Sequence, residues 1–486
     1  MRNKIKFIIF GNFLILIFSG CLGKGLNPQA LLTSITSKGV TRAPTPIPLP
    51  WVGSKQLGVT GAYDTEAQNI ASDSSGNIYI SGFTRGAIDG QLKTSNATYK
   101  DFFITKYDSS GTKVWTRQLG IPGAFDTFPR GLATDSSGNT FIVGFTLGAL
   151  DSQAKTSDAI SNDFFITKYD TSGVKIWTKQ LGIAGTFNTY GLSVTTDSSG
   201  NAYLTGYTDG ALDSQSKISA ASYNDFFITK YNSLGTKLWT KQFGIAGLFN
   251  SLAFGISSDS SGGLFIVGYT DGALDSQPKI SAVSYSDFFI TKYDPSGTRI
   301  WTRQLGVGGS FNTQAHGVTT DSNGNIFVGG YTVGAIDSQV KISNAGSNDS
   351  FITKFATSGT RAWTRQLGAT GAYDTLSQSV SSDSSGNLFI AGYTKGALDS
   401  QTRFSTLGNN DFFLTKYDAS GAKFWTRLLG VAGASDTVAY GVTTDSSGSA
   451  FVGGYTNGAL DSQTKFSNVG NHDFFISKYN SSGAKQ

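Results

Sequence analysis

Catalytic residue types are scarce in this 486-residue chain: it holds two histidines, His316 and His472, one cysteine, Cys21, and one glutamate, Glu66. The two histidines fall at unrelated places in the chain, which leaves no His-based triad. No zinc set with the usual ligands and no paired-Glu acid/base system can be assembled either. A lone cysteine makes no internal disulfide. Charge is also sparse, at 15% of residues, and the formal +5 drops by three if Arg2, Lys4 and Lys6 leave with a signal segment. The remaining bases are spread evenly among acids, so there is no basic stripe for nucleic acid. Helical periodicity of useful length is absent too.

What the chain has in abundance is itself. Residues 101–120, DFFITKYDSSGTKVWTRQLG, return 62 residues later at 163–182 and again at 287–306. Asp73, Asp135, Asp197, Asp259, Asp321, Asp383 and Asp445 keep the same step, each opening a Ser- and Gly-rich turn, so there are seven copies. Each unit contains four short runs rich in aromatic and β-branched residues and bounded by Gly, Ser and Asp, the signature of strands and hairpins. Bulky residues occupy both faces of the third run: Phe102 and Ile104 point one way, Phe103 and Tyr107 the other. A single sheet would expose one of those faces, whereas blades stacked around a ring bury both. The expected fold is therefore all-β: a seven-bladed β-propeller of four-stranded antiparallel blades.

Closure is written at the chain ends. The last unit stops at Gln486, where its Trp-bearing strand should begin, and the missing strand is found in residues 51–58, WVGSKQLG. Residues 53–486 hold seven whole units of 62. An N-terminal strand completing the last blade removes the free edges of an open array. The Trp position of this partial copy holds Gly53, and Trp51 sits two residues earlier, an offset that preserves strand facing.

Before the repeats, residues 1–21 read as a secretion signal, with Arg2, Lys4 and Lys6 ahead of an apolar run at 7–18 that is too short to span a membrane. The run ends in Phe18-Ser19-Gly20-Cys21, which resembles the lipobox of bacterial lipoproteins with Phe in place of the usual Leu. That resemblance implies lipidation of Cys21 and a membrane anchor without a span. Residues 22–50 form a Pro/Thr-rich tether; alternate prolines before residue 51 favour an extended spacer rising about 3.1 Å per residue. Leu22 follows the cysteine, so the Asp that commonly retains lipoproteins in the inner membrane is absent, and an exported protein of the cell envelope, at the outer membrane, is expected.

The repeated pattern D-x-F-I-T-K-Y-D-x-S-G-x-K-x-W-T-x-Q-L-G, followed by G-V-T-T-D-S-S-G-N-x-F-x-x-G-Y-T, resembles the bacterial SBBP-type β-propeller repeat of secreted proteins and lipoproteins. The resemblance covers everything after residue 50 and implies a toroid with an extracytoplasmic binding role. By analogy with other propellers, G-V-T-T-D is then the innermost strand and the Trp strand the outermost.

Residues present in every blade are read first as architecture: Trp115 and its equivalents as packing anchors, Gly82 and its equivalents as sites of close backbone approach, Lys106 and its equivalents as stems whose heads reach an acid or a carbonyl. The Asp-Ser-Ser-Gly turns are read as Asx-type hairpin turns. Binding residues are sought on two loop types sharing one face. One carries Tyr63, Asp64, Phe125, Asp126, Phe187, Phe249, Phe311, Tyr373 and Asp374; the other carries Asp89, Asp151, Asp213, Asp275, Asp337, Asp399 and Asp461. Aromatic and acidic residues side by side suit a sugar, a peptide or calcium, which takes oxygen ligands. Lys93, Lys155, Lys217, Lys279, Lys341, Arg403 and Lys465 follow the second set of acids and are expected to neutralise them in part. The expected function is a monomeric, lipid-anchored, non-enzymatic binding or scaffolding module for a protein or glycan ligand. A lectin, and an Asp-based hydrolase or lyase, are the alternatives.

Overall fold

The computed structural model describes residues 51–486 and the backbone of two short strands, Ile8–Phe10 and Phe13–Ile15, which pair as a hairpin. The chain divides into two units, Met1–Leu49 and Pro50–Gln486. The signal, Cys21 and the tether otherwise lie outside the described residues. Among those described, no helix is long and apolar enough to cross a membrane.

Seven four-stranded antiparallel sheets account for the second unit. In blade one the strands run outward in chain order: Thr65–Ser72, Ile78–Thr84, Asp101–Tyr107 and Lys113–Leu119. Blade seven is built from Thr437–Thr444, Ala450–Thr456 and Asp473–Tyr479, and its outermost strand is Lys55–Leu57 from the other end of the chain. The ring closes through that strand as the split repeat predicts, but over three residue pairs rather than the six of blade one. Gly53, at φ 65°, turns the chain out of the strand before the pairing can extend.

Each repeated residue has a mechanical task. The Trp115 indole covers Gly173 in the turn of the next blade, where a Cβ would lie 2.8 Å from the ring, and its Nε1 donates to the Thr171 carbonyl at 3.1 Å. Trp51 covers Gly111 in the same way, so the two-residue offset still fills the pocket. The innermost strand bulges between Ala67 and Asn69, bringing the Glu66 carbonyl within 1.9 Å of where a Gly82 Cβ would stand. The Lys106 ammonium reaches the Thr171 carbonyl at 3.0 Å. Asp73 accepts the Ser75 and Asn77 amides, the Asx turn expected.

Phe102 and Ile104 enter one inter-blade core, Phe103 and Tyr107 the opposite one. At the inner end of the blades, hydroxyls stitch neighbours together. Thr134 donates to the Ser72 carbonyl, Thr196 to Thr134, Ser258 to Thr196, Thr320 to Ser258, Ser382 to Thr320, Thr444 to Ser382, and Ser72 to Thr444. These seven bonds form a closed circle and hold one end of the central channel at a fixed width.

Candidate functional site

Both loop types emerge on one face, as expected. Ser95 of the longer loop bridges to Gly123 of the next interblade loop, and the same bridge recurs around the ring. Within that face the candidate residues divide into two sets. Asp126 accepts the Lys100 amide at 2.8 Å, Asp374 the Asn348 amide at 2.9 Å, and Asp64 the His472 amide at 3.2 Å, so this set ties the start of the third strand to the loop beside the channel. The aromatic residues Tyr63, Phe125, Phe187, Phe249, Phe311 and Tyr373 lie over Gly86, Gly148, Gly210, Gly272, Gly334 and Gly396 respectively.

The second set sits at the outer edge. Asp89, Asp151, Asp213, Asp275, Asp337, Asp399 and Asp461 hold positive φ near 52° at the tip of a tight turn. In six blades the carboxylate pairs with the first base of the outermost strand, Lys113, Lys175, Lys237, Arg299, Arg361 or Lys423, and in blade seven Asp461 pairs with Lys485, which follows the third strand. The expected neutralising bases behave otherwise. Lys93 turns inward to the Tyr99 carbonyl and to buried Asp101, and Arg403 bonds the Thr406 and Asn409 carbonyls. The reason is reach: the outermost strand starts directly beneath the Asp89 turn, whereas Lys93 lies past it on the inward run of the loop.

A central cavity of about 510 Å³ opens between the innermost strands of all seven blades. Its lining marks where this chain stops repeating. The fourth residue of the innermost strand is Gln68, Arg130, Leu192, Phe254, His316, Gln378 or Tyr440, six residue types in seven blades. The second residue is Glu66, Phe128, Tyr190, Leu252, Gln314, Leu376 or Val438. The third strand of the same blades, by contrast, reads DFFITKY four times without a change. The cavity wall thus differs from blade to blade while the strand packed behind it does not, although loop positions such as Arg85, Leu147 and Asp209 vary as well.

Aromatic rings form a continuous arc around most of this channel. Phe83, Phe128, Phe145, Tyr190, Tyr207 and Phe254 follow one another at centroid separations of 4.9–6.3 Å. His316 is then sandwiched between Phe254 and Tyr331, at 4.9 Å from each. Its Nε2 is buried without a hydrogen-bond partner, and burial takes its pKa down to about 4, so the ring is neutral at pH 7. Burial likewise raises Tyr207 and Tyr440 to about 12.

The charges here are few. Arg130 lies exposed to the channel, donates from one guanidinium nitrogen to Gln68 Oε1 at 2.8 Å, and sits 5.8 Å over the Phe145 ring. Among the described residues no carboxylate lies within ion-pair distance of it. Lys100 hangs over the Phe83 and Phe128 rings at 4.2 and 4.4 Å, again without an acid. At the seam between blades seven and one, His472 Nδ1 meets Glu66 Oε1 at 2.8 Å, stacks on Tyr455 at 4.3 Å and approaches Asp64 at 3.8 Å.

These channel residues were missed by reading for repeated chemistry. Glu66 and His472 are 406 positions apart and meet only because the ring closes. The one signal available in the sequence was a column of disagreement within otherwise matching copies. Blade five differs elsewhere, at Ser350, Phe355 and Ala356, but Phe355 fills the usual buried tyrosine position and Ala356 keeps the turn's backbone bonds.

The seven sheets define a seven-bladed β-propeller. Six stretches of the chain match the SBBP beta-propeller repeat, at residues 52–88, 114–150, 176–212, 300–336, 362–398 and 425–460. It is 24% identical over 473 residues to an uncharacterized WD repeat-containing protein of Acanthamoeba polyphaga mimivirus, covering 74% of this chain and 33% of that one. It is 26% identical over 226 residues to the regulatory protein FlaEY of Caulobacter vibrioides, covering 43% and 23%. The chain thus spans a third or less of these relatives. Among solved structures it is similar to a protein from Dyadobacter fermentans (TM-score 0.45, 10% identity, 88% and 98% covered) and to the WD40 propeller domain of Doa1 (TM-score 0.43, 10% identity, 89% and 100% covered).

Proposed function

We propose that this chain is a non-enzymatic binding module that takes its ligand at the loop-face mouth of the central channel. One observation carries the reading: the fourth position of the innermost strand, which lines one cavity in all seven blades, holds six residue types, while the third strand behind it hardly changes. A cavity of this size falls within the range of about 300–1,000 Å³ usual for small-ligand sites. The loop acids Asp64, Asp126 and Asp374 support it by fixing the rim, while the Asp151 set at the outer edge is committed to ion pairs.

The test is an array of glycans and peptides probed with the full chain. Phe254→Ala combined with Tyr440→Ala is expected to abolish selective binding, and Asp151→Asn combined with Asp213→Asn to leave it unchanged. Binding that survives the first pair and is lost with the second would move the site to the outer loops and end this reading.

The module is further proposed to be exported and held at the cell envelope by lipid on Cys21, on the support of the Phe18-Ser19-Gly20-Cys21 sequence. Labelling with radioactive palmitate in a bacterial host is expected to mark the wild-type chain and not Cys21→Ser. Equal labelling of both, or of neither, would remove the anchor.

A further inference from the structure

The channel holds an unpaired guanidinium in a wall of ring faces and amides, and that combination narrows the ligand. Resting on the channel reading above, we infer that the ligand is an acidic sugar, whose carboxylate is received by Arg130 while its ring lies against the aromatic arc.

The charge argument comes first. Most of the repeated lysines and arginines of this ring find an acid or a carbonyl: Lys113 takes Asp89, Lys106 takes the Thr171 carbonyl, and Arg303 takes the Gly359 carbonyl. Arg130 spends one nitrogen on the neutral Gln68 and leaves the rest of its planar fork facing the cavity. A carboxylate is the group that fits such a fork, through two parallel charge-assisted bonds. Protein surrounds the head closely enough that loss of hydration lowers its pKa, although Tyr440, Tyr207 and Glu66 oppose that shift. Glu66, the acid on this side of the mouth, is engaged by His472.

The rest of the wall decides between a sugar and a flat aromatic acid. Phe145, Tyr190 and Phe254 offer ring faces on which either would stack. Among them stand hydrogen-bonding groups of the same wall: the Gln68 and Gln378 amides and the unpartnered Nε2 of His316. An aromatic acid would cover the two amides and give them nothing, at the cost of their hydration. The hydroxyls of a sugar supply both donors and acceptors, and its C–H face is apolar enough for the rings.

The experiment is titration calorimetry of the full chain with three probes: trigalacturonate, its methyl ester, which keeps the ring and loses the charge, and benzoate. Trigalacturonate is expected to bind roughly 10- to 100-fold more tightly than the ester. Arg130→Gln is expected to erase that difference without lowering Tm, and Arg130→Lys to keep part of it. An ester that binds as well as the acid, with both lost in Phe254→Ala, would overturn the acidic-sugar inference and leave the channel reading standing. Benzoate binding as tightly as trigalacturonate would also overturn it, and so would silence of all three probes. Binding of the acid that neither Arg130→Gln nor Phe254→Ala disturbs would overturn the inference and the channel reading together.

Discussion

Replacing Trp51 and Gln56 together with alanine is expected to open the ring at blade seven and to remove on the order of 5 kcal/mol or more from its stability. The clasp is short, only Lys55–Leu57 paired with Phe474, Phe475 and Ile476, so its strength comes from side chains. Trp51 is 3% exposed and packs against Tyr107 and Phe451; truncating such a residue costs about 3–5 kcal/mol. The Gln56 amide donates to the Gly458 carbonyl and to Asp473, and its oxygen accepts the Leu460 amide. Removing it strands three buried partners at about 1–3 kcal/mol each. Net stabilities of folded domains are about 5–15 kcal/mol, so a loss of this size is decisive. Hydrogen exchange should accelerate first at residues 474–476, whereas Trp115→Ala, which removes the same ring from a blade held by continuous chain, should leave those amides protected. Unchanged protection in blade seven of the double variant would show that the ring does not depend on this clasp.

Much of this architecture was legible because repetition amplifies weak signals. A single DFFITKY run is ambiguous, but seven in register determine strand order, facing and the split last blade, and Trp51 could be placed from parity alone. The site was harder to read for the same reason. Repetition directs attention to what is constant, and the constant loop acids prove to be tied to backbone amides, as Asp126 is, or to the outermost strand, as Asp151 is. The surface proposed to bind lies in Arg130, Phe254, His316 and Tyr440, where the copies disagree, and in Glu66 and His472, which only ring closure brings together. Nor does periodicity show which way a base turns: Lys93 and Lys113 both lie near Asp89 in sequence, and only the three-dimensional course of the loop gives that partner to Lys113.

The second large effect is expected at acid pH, where the buried carboxylates Asp101, Asp287 and Asp349 should weaken blades one, four and five together. Asp101 and its equivalents Asp163, Asp225, Asp287, Asp349, Asp411 and Asp473 are fully buried at the start of the third strand. Asp101 accepts the Thr94 and Ser95 amides and the Gln118 side chain, and Gly120 is the residue opposite because a Cβ there would stand 1.9 Å from the carboxylate. Burial alone would raise these acids. In Asp101, Asp287 and Asp349 the surrounding hydrogen bonds outweigh it and hold the carboxyl below the ordinary range. A carboxylate depressed in this way contributes stability that is complete above the ordinary carboxylate range and is lost as pH falls through its folded value. The denaturant midpoint should therefore stay level from pH 7 to about 5 and then fall steeply, as the contributions of these acids are lost together. Asp101→Asn should cost about 1–3 kcal/mol at pH 7, because its NH₂ faces amides that need an acceptor, and should flatten part of the acid slope. Blade six supplies the internal contrast. Leu428 stands there in place of the glutamine, so the Leu398 amide lacks the side-chain acceptor that Gln118 gives the Ile88 amide in blade one, while the turn keeps its Gln401 amide bond to the Leu398 carbonyl. Leu428→Gln is accordingly expected to slow exchange in residues 398–401 of that blade, and a midpoint that stays level down to pH 3 would mean that the buried carboxylates do not govern the acid limit of this ring.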